Sequence, residues 1–447
     1  MGEFTDLVSF NQYIGWYDGL FGKTADDERA THLDGNPPHR PKRFHHWSIA
    51  LAISRGVARM TAMASVRLSV AKAAVVLVLS TVLPSCLRPP SQGPTSAASL
   101  AAVPARNGAA FAGTAALPST LAANLAAAPA TAGLPANLSW TSSGPLIIPV
   151  SDAAHDLVAV KDPTVVRYND RWHVYATSVA RGGVYGMVYL SFADWSEASK
   201  ASFYYMGKTP GFNTYVAAPQ LFYFTPQRKW YLVFQSGPPM FSTADDPGDP
   251  TKWTQPSPFF AKTPAIVEQN GGWLDFWVIC DSQSCHLFFS NDHGRWYKSK
   301  TPIAKFPYGF SDPVVVMQDS EAGRLFEACN VYKINETNKY LALIEAFDAS
   351  SNWRRYFRSW TSDSLEGPWT PLHGSAASPF AGRQNVTFAG TAWSDDISHG
   401  ELIRADHDET MAIDGSRLQY LYQGFAPAMN ASNYNAIPWQ LGLLTLR

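Results

Sequence analysis

From about residue 160 onward the chain is a series of short apolar runs separated by clusters of turn-forming residues. Thr164-Val-Val-Arg-Tyr is followed by Trp172-His-Val-Tyr-Ala-Thr. Leu221-Phe-Tyr-Phe precedes Lys229-Trp-Tyr-Leu-Val-Phe, and His286-Leu-Phe-Phe precedes Gly294-Arg-Trp-Tyr. Each pair reads as a hydrophobic strand, a polar turn and a second aromatic strand. Two looser copies are Pro313-Val-Val-Val-Met with Tyr340-Leu-Ala-Leu-Ile, and Glu401-Leu-Ile with Leu418-Gln-Tyr-Leu-Tyr. Long amphipathic helical stretches are nearly absent. Five degenerate copies of one strand unit predict an all-β fold, a β-propeller with one blade per copy. A jelly roll is the alternative architecture.

Before this pattern the chain is different. Residues 88–136 are rich in Ala, Pro, Ser, Thr and Gly, with little to build a core, and read as a disordered linker. Residues 60–87 hold Arg67 and Lys72 followed by an apolar run from Ala73 to Leu83, the pattern of a secretory signal. The run is short for a bilayer-spanning helix, which needs ~20 apolar residues. Residues 1–59 show no domain-like periodicity and read as an upstream extension. The globular domain is therefore placed at 137–447. The expected protein is secreted, free of the membrane in its mature form, and monomeric. Sequons at Asn137, Asn335, Asn385 and Asn430 agree with secretion, each weakly.

Composition narrows the partners. The chain has 35 basic and 36 acidic residues, which argues against a nucleic-acid binder. Its 15 Trp and 19 Tyr serve either to fill sheets or to line a sugar-binding surface. Four Cys are too few for a disulfide scaffold. Cys280 and Cys285 flank a short polar turn and are candidates for a bridge across it, with Cys329 left as a buried thiol.

The candidate chemistry lies in carboxylates at unit starts. Lys161-Asp162-Pro163 opens the first unit, Trp273-Leu-Asp275 the third and Asp312-Pro313 the fourth, with Glu327 inside the fourth. Innermost propeller strands start near one axis, so such acids can converge although they are far apart in sequence. Glu327 stands among Leu325, Phe326, Ala328 and Cys329 and is expected to be buried. Burial disfavours the charged carboxylate, which suits a general acid. Taken singly, each acid could equally be a turn or loop cap.

These segments resemble glycoside hydrolase family 62, the arabinoxylan α-L-arabinofuranosidases, from about residue 155 to the C-terminus. The resemblance rests on Val160-Lys-Asp-Pro-Thr, Ala218-Pro-Gln-Leu, Trp273-Leu-Asp-Phe-Trp-Val-Ile-Cys-Asp, Arg324-Leu-Phe-Glu-Ala, Ile397-Ser-His-Gly-Glu-Leu-Ile and Pro438-Trp-Gln-Leu-Gly-Leu-Leu-Thr, in that order. It implies a single five-bladed propeller that hydrolyses with inversion. It implies Asp162 as general base, Glu327 as general acid, and Asp275 as the residue that tunes and orients the acid, with Asp281 as competitor for that last role. Lys161 is expected to keep the base ionised. Gln220, Ser311, Asp312, Asn385 and Tyr434 are expected to line the arabinose pocket or the xylan cleft. His399 is expected beside a structural cation, commonly calcium, and no cofactor is expected in the chemistry. The expected partner is the arabinoxylan polysaccharide. A family 43-like glycosidase acting on arabinan or xylosides, and a non-catalytic sugar-binding propeller, are the competing readings.

Overall fold

In the computed structural model, residues 133–427 and 433–447 are described. The leader, the upstream extension and nearly all of the linker lie outside them, as does the sequon at Asn430.

The paired runs of the sequence become hairpins. Tyr168 and Arg171 are joined by Asn169 and Asp170, both with positive φ (48° and 57°). That two-residue turn matches the twist of the flanking strands, and Asn and Asp tolerate the left-handed region best among non-glycine residues. Blade 1 follows with Leu157–Tyr168, Arg171–Ala180, Val184–Phe192 and Tyr204–Tyr205. Blade 2 holds Ala217–Phe224, Lys229–Gln235, Pro239–Ala244 and Ser257–Pro258. Blade 3 holds Leu274–Cys280, Ser284–Ser290, Arg295–Pro302 and Val314–Gln318. Blade 4 holds Asn330–Ile334, Tyr340–Ala346, Tyr356–Ser362 and Thr370–His373, with Ala412–Ile413 beside its first strand.

Blade 5 closes the ring. Its strands run in the order Ser398–Leu402, Gln419–Gly424, Gln440–Leu446, Trp140–Ser142, Val386–Phe388. Trp140–Ser142 pairs antiparallel with Gln440–Leu446, so the two ends of the domain share one sheet. Aromatic side chains fill the space between sheets. The Trp277 indole, for instance, donates to the Val331 carbonyl at 2.8 Å and ties blade 3 to blade 4.

One boundary differs from the sequence expectation. Val314–Gln318 does not open the fourth blade. It is the outer strand of the third, with Val314 and Val315 exposed. The fourth opens at Asn330–Ile334, whose two polar positions weaken its apolar signature.

The far end of the axis is crossed by the segment between Leu402 and Gln419. His407 O accepts from Tyr223 N on blade 2, Glu409 O from Cys280 N on blade 3, and Met411 O from Lys333 N on blade 4. Above it the axis is filled by buried polar groups. Arg404 pairs with Glu401 at 2.6 Å, and Glu401 accepts from Thr164 Oγ1 at 2.5 Å. Cys280 and Cys285 are bridged at this end, and Cys329 is buried and free.

Candidate active site

At the near end of the axis each innermost strand begins with an irregularity. Pairing shifts register between Lys161 and Thr164, Ala217 and Gln220, Leu274 and Trp277, and Ser398 and Gly400. Asp162, Ala218, Asp275 and Ala328 all have positive φ there, from 47° to 55°. A left-handed residue in a bulge re-aims its side chain and costs about 1–3 kcal/mol. Blade 5 has Gly400 at its bulge, where an added Cβ would come within 2.1 Å of the Leu421 carbonyl oxygen.

The amides of these residues are held by the preceding blade. Asp162 N donates to Gln423 Oε1 (2.6 Å), Ala218 N to Thr177 Oγ1 (2.8 Å), and Asp275 N to Gln235 Oε1 (3.0 Å). His399 N donates to Glu345 Oε2 at 2.8 Å. In blade 3 the matching position is Ser290, opposite Leu274, and the Ser290 hydroxyl makes no hydrogen bond across to the next blade. There the Asp275 carboxylate itself accepts from Ala328 N at 2.8 Å. A five-part collar thus fixes the strand starts.

The collar surrounds a pocket of about 290 Å³, mouth included, lined by Lys161, Asp162, Tyr185, Tyr215, Ala217, Gln235, Asp275, Glu327, His399 and Tyr434. The three acids expected from the sequence converge here, and all are buried. Lys161 and Tyr434 join them.

Their environments differ. Burial works against the charged form of Asp162, but Lys161 and His399 outweigh it and hold the carboxyl far below its usual range. Lys161 Nζ donates to both Asp162 oxygens at 2.7 Å. A carboxylate held this low is always charged, though only weakly basic. Asp275 goes the other way. Burial pushes it up to about 7; His399 opposes, while Glu327 and Asp162 add to the rise. Glu327 is paired with Arg355, which is paired in turn with the fully buried Glu345. Tyr185 and Tyr434 are pushed up by burial and remain neutral.

Other expected residues lie elsewhere. Gln220 is buried, bonding the backbone of Val278 through both ends of its amide, and joins blade 2 to blade 3 instead of facing the pocket. Ser311 and Asp312 are exposed beside the outer strand of blade 3, where Ser311 bonds the Lys300 amide. Asn385 spends its side-chain amide on the carbonyls of Leu138, Pro379 and Phe380, so it neither lines the pocket nor presents a free nitrogen at its sequon. Asp281 accepts the amides of Gln283 and Ser284 in the turn beyond Cys280, at the opposite end of the strand from Asp275.

His399 stands between two of the acids. Its Nδ1 lies 3.3 Å from Asp162 Oδ1 and 3.6 Å from Asp275 Oδ2. Burial favours the neutral ring, but Asp275 and Asp162 prevail and raise it to about 9. The two carboxylate oxygens are also engaged by Lys161 and the Ala328 amide. Among the described residues no group of three or more His, Cys, Asp and Glu is placed to hold a metal. In this arrangement His399 bridges two carboxylates.

Tyr185, Tyr215, Gln235 and Arg355 were not anticipated. A signal existed for one: Phe234-Gln-Ser-Gly and Tyr422-Gln-Gly end the second strands of two blades in the same way, and Gln235 and Gln423 do the same work.

A propeller whose axis ends in a small pocket with carboxylates of opposed character defines a glycoside hydrolase. The sequence profile of glycosyl hydrolase family 62 matches residues 139–445, and the chain belongs to that family. It is 45% identical over 317 residues to α-L-arabinofuranosidase C of Cellvibrio japonicus, covering 70% of this chain and 48% of that protein. The chain thus spans about half the length of this curated relative. The catalytic domain of a Coprinopsis cinerea family 62 α-L-arabinofuranosidase is 51% identical, with a TM-score of 0.68 over 70% of this chain and 98% of that one. A family 62 hydrolase in complex with xylotriose is 43% identical, with a TM-score of 0.67 over 69% and 98%. Membership in family 62 replaces the family 43-like reading.

Proposed function

We propose that this protein is an inverting α-L-arabinofuranosidase that removes arabinofuranose side chains from arabinoxylan. The observation that carries the reading is the convergence of Asp162, Asp275 and Glu327 from three blades on one small pocket. The activity of the C. japonicus and C. cinerea relatives and the xylotriose bound by the third support the substrate class.

In this reading Glu327 gives its proton to the departing xylan oxygen as the bond from the anomeric carbon breaks. A water attacks the opposite face of that carbon, and Asp162 takes the proton it releases. Arabinose and a free xylose hydroxyl result, and solvent restores both carboxyls. Room for the water calls for carboxyls ~6.5–9.5 Å apart. Asp275 acts through the backbone beside Glu327. Lys161 keeps Asp162 charged. The leader supports secretion, and a monomer acting on soluble or wall-bound polymer is the simplest assembly.

The test is to incubate the protein with wheat arabinoxylan and follow the anomeric proton of released arabinose by NMR. The β-anomer should appear first and then mutarotate. Initial α-anomer, or no arabinose at all, would sink the reading.

A further inference from the structure

Glu345 is a carboxyl where its place in the fold requires only a carbonyl oxygen; burial raises its pKa, and the Arg355 guanidinium bonded to it favours the charged form. Collar positions on the second strands are occupied by Thr177, Gln235, Ser290, Glu345 and Gln423. Gln235 and Gln423 are neutral, and each holds the next blade's amide through a carbonyl oxygen. Glu345 does the same for His399 N. A glutamine would suffice for that bond, yet the carboxylate is fully buried. Its neighbours are donors: Ser398 Oγ lies 3.0 and 3.1 Å from its two oxygens, and Arg355 is bonded to Oε1.

Arg355 is where the charge is used. Its Nη1 bonds Glu327 as well as Glu345. Its guanidinium stands 5.2 Å from the Phe326 ring centre, 5.7 Å from Trp439 and 5.9 Å from both Phe347 and Tyr434. Four rings fix the cation between two carboxylates. A cation given wholly to Glu327 would favour its charged form and work against proton donation.

We propose that Glu345 is a positioning residue that takes a share of the Arg355 guanidinium, so that Glu327 can carry the proton delivered to the leaving xylan oxygen. After transfer, Glu327 is a carboxylate and the shared cation stabilises it. The inference rests on the arabinofuranosidase reading. The other charged or titratable groups around Glu327 are Lys161 and Tyr185 from blade 1, Asp275 and Asp292 from blade 3, and Tyr434 from the last loop. Asp162 and His399 complete the pocket. All of these stay unchanged in the test.

The experiment measures kcat/KM against pH on arabinoxylan for wild type, Glu345→Gln and Arg355→Gln, with thermal unfolding as a check on folding. Glu345→Gln installs the residue that the fold already uses at two equivalent positions. It should move the alkaline limb to lower pH by about one unit or more, since a nearby opposite charge shifts a carboxyl by ~1–3 units. Arg355→Gln should move that limb to higher pH. On an aryl arabinofuranoside with a very good leaving group, Glu345→Gln should be nearly normal. An active wild type whose alkaline limb stays put in both variants overturns the role of Glu345 alone. So does a uniform loss of rate on both substrates. A wild type that releases no arabinose overturns the enzyme reading and this inference together.

Discussion

The Asp275 carboxylate accepts the amide hydrogen of Ala328 at 2.8 Å, and Ala328 is the residue next to Glu327. Asp275 therefore holds the acid's backbone from the neighbouring blade, and it does so at the one collar position whose second-strand residue, Ser290, makes no such bond. Asp275→Asn keeps an oxygen that can accept this bond, whereas Asp275→Ala does not. Arabinose release should fall by ~10²–10³ for Asp275→Ala, and less for Asp275→Asn, judged against the ~10²–10⁴ that general acid–base groups contribute. Equal losses in the two variants, measured as kcat on arabinoxylan, would show that orientation is not its role.

Glu327→Ala should lose ~10²–10⁴ in kcat on polymer, where the leaving xylose hydroxyl needs a proton. Aryl arabinofuranosides with very good leaving groups should lose far less. Side-by-side rates on the two substrates decide it; near wild-type release from polymer would rule out Glu327 as the acid.

Lys161→Gln leaves Asp162 buried without its main counter-charge. Desolvation then dominates and the carboxyl rises, so the acid limb of kcat/KM should move to higher pH by at least one unit. Removing one partner of a buried pair typically costs ~3–5 kcal/mol, so urea unfolding at neutral pH should show a loss of that order. An unmoved acid limb would separate Lys161 from the ionisation of Asp162.

Stability should fall as pH rises from about 6.5 to about 9; below ~6.5 the histidines His173, His286, His293, His373 and His407, whose pKa values burial lowers, work in the opposite direction. Asp275 is raised to about 7, so the folded state keeps a proton that the unfolded chain loses near ~3.9, and this favourable difference disappears between those values. His399 is raised to about 9 from an unfolded value near ~6.5, so its contribution is complete below ~6.5 and is lost as pH climbs through 9. Asp162 has the opposite sign, and its contribution is lost only in strong acid, below its unfolded value. Melting curves across this range should show the decline, and His399→Gln should flatten its upper part. A wild-type melting temperature that is constant from pH 6.5 to 9 contradicts the assignment.

Asp281→Ala should leave hydrolysis within about twofold of wild type, because Asp281 caps a turn at the far end of its strand. A large loss of activity without a loss of stability would return it to the reaction.

The hairpins of the first three blades were legible because strand, turn and aromatic strand recur in order. The acids were legible as strand starts, and the family resemblance supplied their roles. Ser311 and Asp312 were misplaced because Val314-Val-Val-Met has the composition of a buried inner strand but forms an exposed outer one. Blade 5 joins Trp140–Ser142 to Gln440–Leu446 across nearly the whole domain, a pairing that no local pattern encodes. Arg355 comes from a loop, and nothing near it in sequence ties it to Glu327, 28 residues earlier. Asn385 and Gln220 are buried polar side chains whose partners are backbone groups, and sequence alone does not separate such residues from ligand-binding ones.

The segment that crosses the far end of the axis, from Arg404 to Met411, decides the traffic through the pocket. With blades 2, 3 and 4 bonded to it and the Glu401–Arg404 pair above it, the far end of the axis is plugged among the described residues. In the proposed reaction a polymer docked over the near end would then trap the freed arabinose behind it. The polymer would depart first and the sugar last, an order in which accumulating arabinose would compete with fresh xylan for the same doorway.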